Sequence, residues 1–314
     1  MILITGGGGF IGVHTARAFI DAGEDVLLTQ HTARPLPAFL ADSLGKQAFV
    51  ESLDVVERDA WQDLGRRYTI DSIVHLAAPN GGRQGSIEDL AFETETNLLG
   101  LNNVLNMARA WGVRRLALAS TIAIYGGVPA GPLREDMLLR TSATHTTEAF
   151  KKTFEIVGGH FCDRAGIDVV MMRIGGIYGP LRDWQYHQVT RLCHAALKGE
   201  SGDPVGKVFA HDGSDYCYVR DCADAIVRVH TAPSLPNRVY NIGSGRETTH
   251  QEVVDAIRAV VPDSRLELEP GRSPGARPDP YLDISRLKDD LGWQPQWGLE
   301  RAIPDYMEWL KRAA

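Results

Sequence analysis

Ile2-Leu-Ile-Thr-Gly-Gly-Gly-Gly-Phe-Ile-Gly12 is the stretch that decides the fold of this chain. Ile2, Leu3 and Ile4 form a short apolar run that reads as a buried strand. Glycines follow at once, and then a helical pattern opens with Phe10, Ile11, Val13, Ala16, Phe19 and Ile20. Strand, glycine turn and helix in this order are the context of a dinucleotide-binding loop. Glycines let the backbone turn sharply and approach a pyrophosphate closely, and the helix N-terminal amides meet its negative charge. Two registers fit, Gly7-x-Gly9-x-x-Gly12 and Gly6-x-x-Gly9-x-x-Gly12. They share Gly9 and Gly12 and differ in which glycine makes the first turn. Gly6, Gly9, Phe10, Ile11 and Gly12 are the expected contacts of the loop.

Beyond the loop, strand and helix alternate. Strands are expected at 2–5, 25–29, 48–50, 72–76, 115–119 and 168–173, with helices at 10–22, 57–67, 86–111 and 144–165. Such βαβ units imply an α/β, doubly wound parallel sheet of Rossmann type, with the ligand at the carboxyl ends of the strands. After about residue 175 the pattern loosens. Residues 189–199 read as helix and 237–241 as strand, which points to a smaller C-terminal lobe and a cleft beside it.

The bulk numbers exclude several classes. The 314 residues are 44% hydrophobic and 23% charged, ordinary for a globular protein, and the formal charge is −7 with no basic run. Nucleic acid and membrane surfaces are therefore not expected partners. No apolar stretch approaches the ~20 residues that span a bilayer, and no cationic segment precedes the first apolar run. Cys162, Cys193, Cys217 and Cys222 lack metal-ligand spacing. They read as free thiols in a reducing cytoplasm, with no metal expected.

Polar residues at strand ends outline a cofactor site. Asp54, beside Val55, follows the third strand and could accept from an adenine amino group. Leu76, Ala77 and Ala78 follow His75 and would let a backbone pass close to the cofactor. Asn97 precedes Gly100 on the next helix. The second strand ends in Thr29-Gln30-His31-Thr32 with Arg34 nearby, where NAD sites usually carry an acid. Gln30, His31 and Arg34 tolerate a 2′-phosphate better than a carboxylate would, so between NADP and NAD the balance falls to NADP.

Taken together, these motifs resemble the extended short-chain dehydrogenase/reductase superfamily, the NAD-dependent epimerase/dehydratase group, along nearly the whole chain. Thr5-Gly6 to Gly12 is similar to its TGxxGxxG. His75 to Ala78 resembles the strand-four motif, Asn97 to Gly100 the NxxG helix, Ser120 to Gly126 the SSxxVYG segment and Arg173 to Pro180 the RxxNxYGP motif. Tyr216 to Asp221, Tyr240 to Gly245 and Leu291 to Pro295 are similar to further landmarks. The resemblance implies a Rossmann domain over 1–174 and about 215–248, interleaved with a substrate-binding lobe over 175–214 and 249–314. It also implies a homodimer formed through the helices near 86–111 and 144–165.

Chemistry in that family rests on YxxxK plus a serine or threonine. Lysine and the cofactor's positive ring lower the phenol's pKa so that it exchanges a proton while the nicotinamide exchanges hydride. Thr121, four residues before Tyr125, matches the family Ser/Thr. Lys151 matches the lysine, with Glu155 following as in KxxxE. Four residues before Lys151 stands Thr147, not tyrosine. A threonine hydroxyl cannot serve as that acid–base, so another donor is needed: His145, Tyr125, Glu148, or a residue of the loop Leu181 to Gln188. On a continuous helix His145 lies about 200° from Thr147.

Substrate contacts are expected from Tyr178, Trp184, Tyr186 and His187. Ser214 and Gly176 stand where nucleotide-sugar members carry an arginine and an asparagine, which favours a smaller or less phosphorylated substrate: a sugar, a sugar acid or a carbonyl metabolite. The expected activity is NAD(P)-dependent oxidoreduction or redox-linked epimerisation at a secondary alcohol or ketone of a small polar substrate. A non-redox lyase or isomerase, or a nucleotide-binding protein without turnover, are the alternatives.

Overall fold

The computed structural model describes residues 1–79, 87–182, 185, 187–203 and 206–313. Strands β1 (Ile2–Thr5), β2 (Val26–Gln30), β3 (Ala48–Ser52), β4 (Ser72–His75), β5 (Arg115–Thr121) and β6 (Val169–Ile174) alternate with helices. The helices between them are α1 (Phe10–Asp21), α2 (Arg58–Arg67), α3 (Ile87–Trp111), α4 (Thr146–Thr153) and α5 (Gly159–Ala165). Further along lie β7 (Gly176–Tyr178), α6 (Gln188–Lys198), β8 (Gly213–Ser214), β9 (Tyr216–Tyr218), α7 (Val219–Thr231), β10 (Val239–Ile242) and β11 (Thr248–Thr249). Helices α8 (His250–Val260), α9 (Ser285–Leu291) and α10 (Leu299–Ala313) complete the chain.

Seven strands form one sheet in the order β10-β6-β5-β4-β1-β2-β3, with β3, β2, β1, β4 and β5 paired in parallel. The order reverses between β1 and β4, which is the switch point where open α/β sheets bind ligands. Strands β1, β2 and β4 are buried along nearly their whole length. That is why they read as continuous apolar runs rather than alternating ones. One face of the sheet packs Leu3, Leu27 and Ile73 against Leu101, Val104 and Leu105 of α3.

Two compact units result. The first comprises Met1–Gly127, Leu138–Arg173 and Ala223–Tyr240; the second comprises Val128–Met137, Ile174–Cys222 and Asn241–Ala314. The second unit thus takes in Val128–Met137, which the sequence reading placed in the dinucleotide domain. Backbone bonds explain the assignment: Leu133 N–H donates to the Tyr281 carbonyl and Asp283 N–H to the Leu133 carbonyl. Asn241 Nδ2 also donates to Leu133 O at 2.8 Å. Within this unit α6, α8 and α10 share a core of Val189, Leu192, Val253, Ile257, Tyr306 and Met307. A capping box of Thr249 and Glu252 starts α8.

The single helix expected over 144–165 is interrupted. Between α4 and α5, Phe154–Gly158 winds as a π-helix, and a Cβ on Gly158 would lie 2.8 Å from Leu118 Cδ1. A side chain there would have to displace Leu118 of β5, on which the helix rests. Among the described residues no helix is long and apolar enough to cross a membrane.

Candidate active site

Gly6 takes the left-handed turn, with φ +66°, and its carbonyl accepts from Gly9 N–H at 2.9 Å. The first turn is therefore made by Gly6, and the register is Gly6-x-x-Gly9-x-x-Gly12. A Cβ on Gly6 would meet Ala77 Cα at 2.9 Å, and one on Gly12 would meet Gly6 O at 2.4 Å. The loop is pressed between the end of β4 and the first turn of α1. Gly9 is the N-cap of α1 and offers no side-chain cap, so the first-turn amides of this helix have no intrahelical acceptor. Such amides with their dipole suit a pyrophosphate.

Beside the loop, Thr5 ties β1 to β4. Its Oγ1 accepts from Ala77 N–H at 3.3 Å and lies 2.8 Å from His75 Nδ1, while Leu76 N–H donates to the Thr5 carbonyl. Burial, helped by the charge of Lys151, pushes His75 down to about 3, so it is a neutral structural group. At the end of β2, Gln30 Oε1 accepts from the Arg34 backbone N–H at 3.2 Å and lies against Gly8. His31 Nε2 is 3.3 Å from Asp54 Oδ2, and Asp54 Oδ1 accepts from Val56 N–H. Val55 is buried, with its carbonyl held by Trp61 Nε1 and Asn103 Nδ2. Gly100 lets α3 approach it: a Cβ there would touch Val55 Cγ2 at 3.0 Å.

Lys151 lies on α4 and is buried, with Nζ 4.3 Å from the centroid of the Phe154 ring. Burial lowers its pKa to about 8. Phe154 stacks in turn on His75, at 5.9 Å between centroids. Lys151 is thereby fixed beside the carboxyl end of β4. Together with Ala78, Pro79, Glu93, Asn97, Thr146, Thr147 and Phe150 it lines a cleft of about 40 Å³. Thr147 and Lys151 are four residues apart and share one face of α4; Glu93 and Asn97 are likewise four apart on α3. Asn97 Nδ2 donates to the Glu93 carbonyl at 2.8 Å.

The proton-donor candidates are placed very differently. His145 is exposed and caps α4, its Nδ1 accepting from Glu148 N–H at 3.3 Å, so the helix start does not swing it into the cleft. Tyr125 is fully buried; Arg173 donates to its hydroxyl at 2.8 Å and lies over its ring. Glu148 is buried and bonded by Lys152 Nζ at 2.7 Å and by Thr144. Those bonds outweigh its burial and hold it down at about 2, so it is a fixed carboxylate. Thr121 ends β5, where its Oγ1 accepts from Ala123 N–H at 3.2 Å and caps a short 3₁₀ turn. It lies outside the cleft lining.

In the second unit, Tyr178 sits in the core rather than at a surface, packed near Tyr218 at 5.3 Å and His187 at 6.0 Å. His187 is buried as the N-cap residue of α6, and burial pushes it down to about 3. Trp184 and Tyr186 lie outside the described residues.

Two groups carry roles that the sequence reading did not give them. Glu155 accepts from Ser120 Oγ at 2.6 Å and from Arg173 at 2.8 and 3.0 Å, locking α4's extension to β5 and β6. Glu93 lines the cleft with Lys151. Its signal was present as an acid one helical turn before Asn97, on the face that also carries Gly100.

Comparison with known proteins agrees with this geometry. A UDP-glucose 4-epimerase of Mycolicibacterium smegmatis is 30% identical over 318 residues, covering 98% of both chains. A dTDP-4-dehydro-6-deoxy-D-allose reductase of a Streptomyces species is 27% identical, covering 99% of this chain and 96% of the relative. Among solved structures, the UDP-glucose 4-epimerase of Thermus thermophilus in complex with NAD superposes with a TM-score of 0.79. It is 26% identical, with 100% of this chain and 99% of that one covered. The family model described as "NAD dependent epimerase/dehydratase family" matches residues 2–243, and with its glycine loop, strand order and Lys151 in place the chain belongs to that family.

Proposed function

We propose that this protein catalyses NAD(P)-dependent oxidation and reduction at a secondary alcohol or ketone of a sugar, as a reductase or a redox-linked epimerase. The observation that carries the reading is Lys151, held by Phe154 beside the end of β4 and next to the strand that leads into the glycine loop. When bound, the nicotinamide supplies a hydride acceptor or donor. The amides of Phe10, Ile11 and Gly12 would hold the pyrophosphate, Asp54 the adenine and Lys151 the nicotinamide ribose hydroxyls. Thr121 would hydrogen-bond the reacting oxygen.

Gln30, His31 and the exposed Arg34 favour NADP over NAD, since none repels a 2′-phosphate and Arg34 attracts one. The sugar is a nucleoside diphosphate sugar in the relatives named above, whereas Ser214 and Gly176 here remove two family contacts to such a group. Homodimerisation is supported by an apolar surface on α3 and the π-helix: Leu90, Phe92, Leu98, Leu99, Ile156 and Val157 are exposed. Four free, buried cysteines suit the reducing cytoplasm.

The test is stopped-flow absorbance of the nicotinamide with UDP-glucose, UDP-glucuronate and the corresponding free sugars and sugar acids. Transient or net reduction with any of them supports the reading. Product formation without any absorbance change would instead favour a non-redox isomerase or lyase.

A further inference from the structure

The cleft at Thr147 contains an acid. Among the described residues that line it, Glu93 and Lys151 are the ionisable ones. Glu93 is 8% exposed and its carboxylate has neither an ion pair nor a hydrogen-bond donor among the described residues. Its carboxylate oxygens are not among the fully buried unpartnered atoms of the described residues, so they open onto solvent and are free to meet a ligand. Each other acid considered at this site is already engaged: Glu148 by Lys152 and Thr144, Glu155 by Arg173 and Ser120. Glu93 and Asn97, one turn apart on α3, share the cleft with Ala78 and Pro79 at the end of β4.

We propose that Glu93, reaching across from α3, is the acid–base group of the redox reaction, in the cleft left open where α4 presents Thr147. This rests on the redox reading above. In the oxidative direction the carbinol C–H bond would break, its hydride taken up by a bound nicotinamide dinucleotide as oxidant. The O–H bond breaks, its proton goes to a Glu93 carboxylate oxygen, and the C–O bond becomes C=O. Reduction returns both. Thr147 keeps a hydroxyl at the cleft wall able to donate to the same oxygen. Lys151 is the other charged group lining the cleft among the described residues, and His75, behind Phe154, is neutral.

The test compares wild type, Glu93→Gln and Glu93→Asp in stopped flow with UDP-glucose and the free sugar panel. Glu93→Gln should lose about 100-fold or more in the rate of nicotinamide reduction, with KM and melting temperature little changed. Glu93→Asp, which keeps a carboxylate, should recover part of the rate. Independently of turnover, carbodiimide coupling located by mass spectrometry should mark Glu93, and NADP plus UDP-glucose should suppress it while the exposed Glu95 stays reactive. An undiminished Glu93→Gln, or coupling at Glu93 indifferent to ligand, overturns the assignment alone. A wild type that binds nicotinamide dinucleotide and never reduces it with any of the panel overturns the redox reading, and this role with it.

Discussion

Lys151 Nζ lies 4.3 Å from the centroid of the Phe154 ring and has no carboxylate partner among the described residues. The ring's negative face offsets only part of the cost of burying an ammonium, which is why the pKa falls from 10.5 to about 8. The sign of the linkage follows. Below pH 8 both folded and unfolded chains hold the proton and the full penalty applies. Between about 8 and 10.5 the unfolded chain binds more protons, so stability rises with pH. Lys151→Met should therefore stabilise the protein at pH 7 by at most about 3 kcal/mol, a gain that fades from pH 8 upward while turnover is lost. Urea denaturation at pH 7 and pH 10 measures it; a destabilised variant at pH 7 would contradict the burial argument.

Gly9 and Gly12 should separate binding from folding. A Cβ on Gly12 meets Gly6 O at 2.4 Å and Gly7 Cα at 2.7 Å, so Gly12→Ala must shift backbone and should lower both melting temperature and nucleotide binding. At Gly9 the one near atom is Gly6 O at 3.1 Å, a tight contact that asks a shift of only a few tenths of an ångström. Gly9→Ala should keep its melting temperature yet bind dinucleotide about tenfold more weakly or worse, because the methyl stands where the pyrophosphate approaches. Calorimetric titration beside thermal melts distinguishes the two.

Arg34 bears on cofactor choice. Arg34→Glu should cut the preference for NADP over NAD by about tenfold, since it replaces an attractive charge with a repulsive one. Fluorescence titration with both dinucleotides reads the ratio, and equal losses for both would show that Arg34 does not meet the 2′-phosphate.

Glu155 and Arg173 form a largely buried ion pair at 2.8 Å that also holds Ser120 and Tyr125. Removing one partner strands the other's charge. Glu155→Gln should destabilise by about 3 kcal/mol, measured by urea unfolding, and the near-isosteric amide rules out a packing explanation.

The exposed leucines of α3 should report on assembly. Leu98→Glu combined with Ile156→Glu should shift the sedimentation coefficient from dimer to monomer without lowering helicity. An unchanged sedimentation profile would locate any dimer elsewhere.

Much of this protein was legible without coordinates wherever periodicity and backbone chemistry are local. Ile2 to Gly12 specified strand, glycine turn and helix because only glycine permits such a loop, and the apolar runs at β2, β4 and β5 announced a sheet covered on both faces. The glycine register was not legible locally: Gly6 makes the turn, where a side chain would also meet Ala77, far along the chain. Nor was the π-helical segment Phe154–Gly158, which no local pattern in the sequence announces.

The sequence by itself determined the cofactor class, the family and the absence of tyrosine at 147. Only the tertiary structure decided which neighbours stand around that threonine. It turned His145 into a helix cap, enclosed Tyr125 under Arg173 and paired Glu148 with Lys152. It also brought Glu93 on α3 to the cleft of Lys151 on α4. Spacing along one helix fixes a face, but which face of another helix meets it is set by packing on the shared sheet, through contacts distant in sequence.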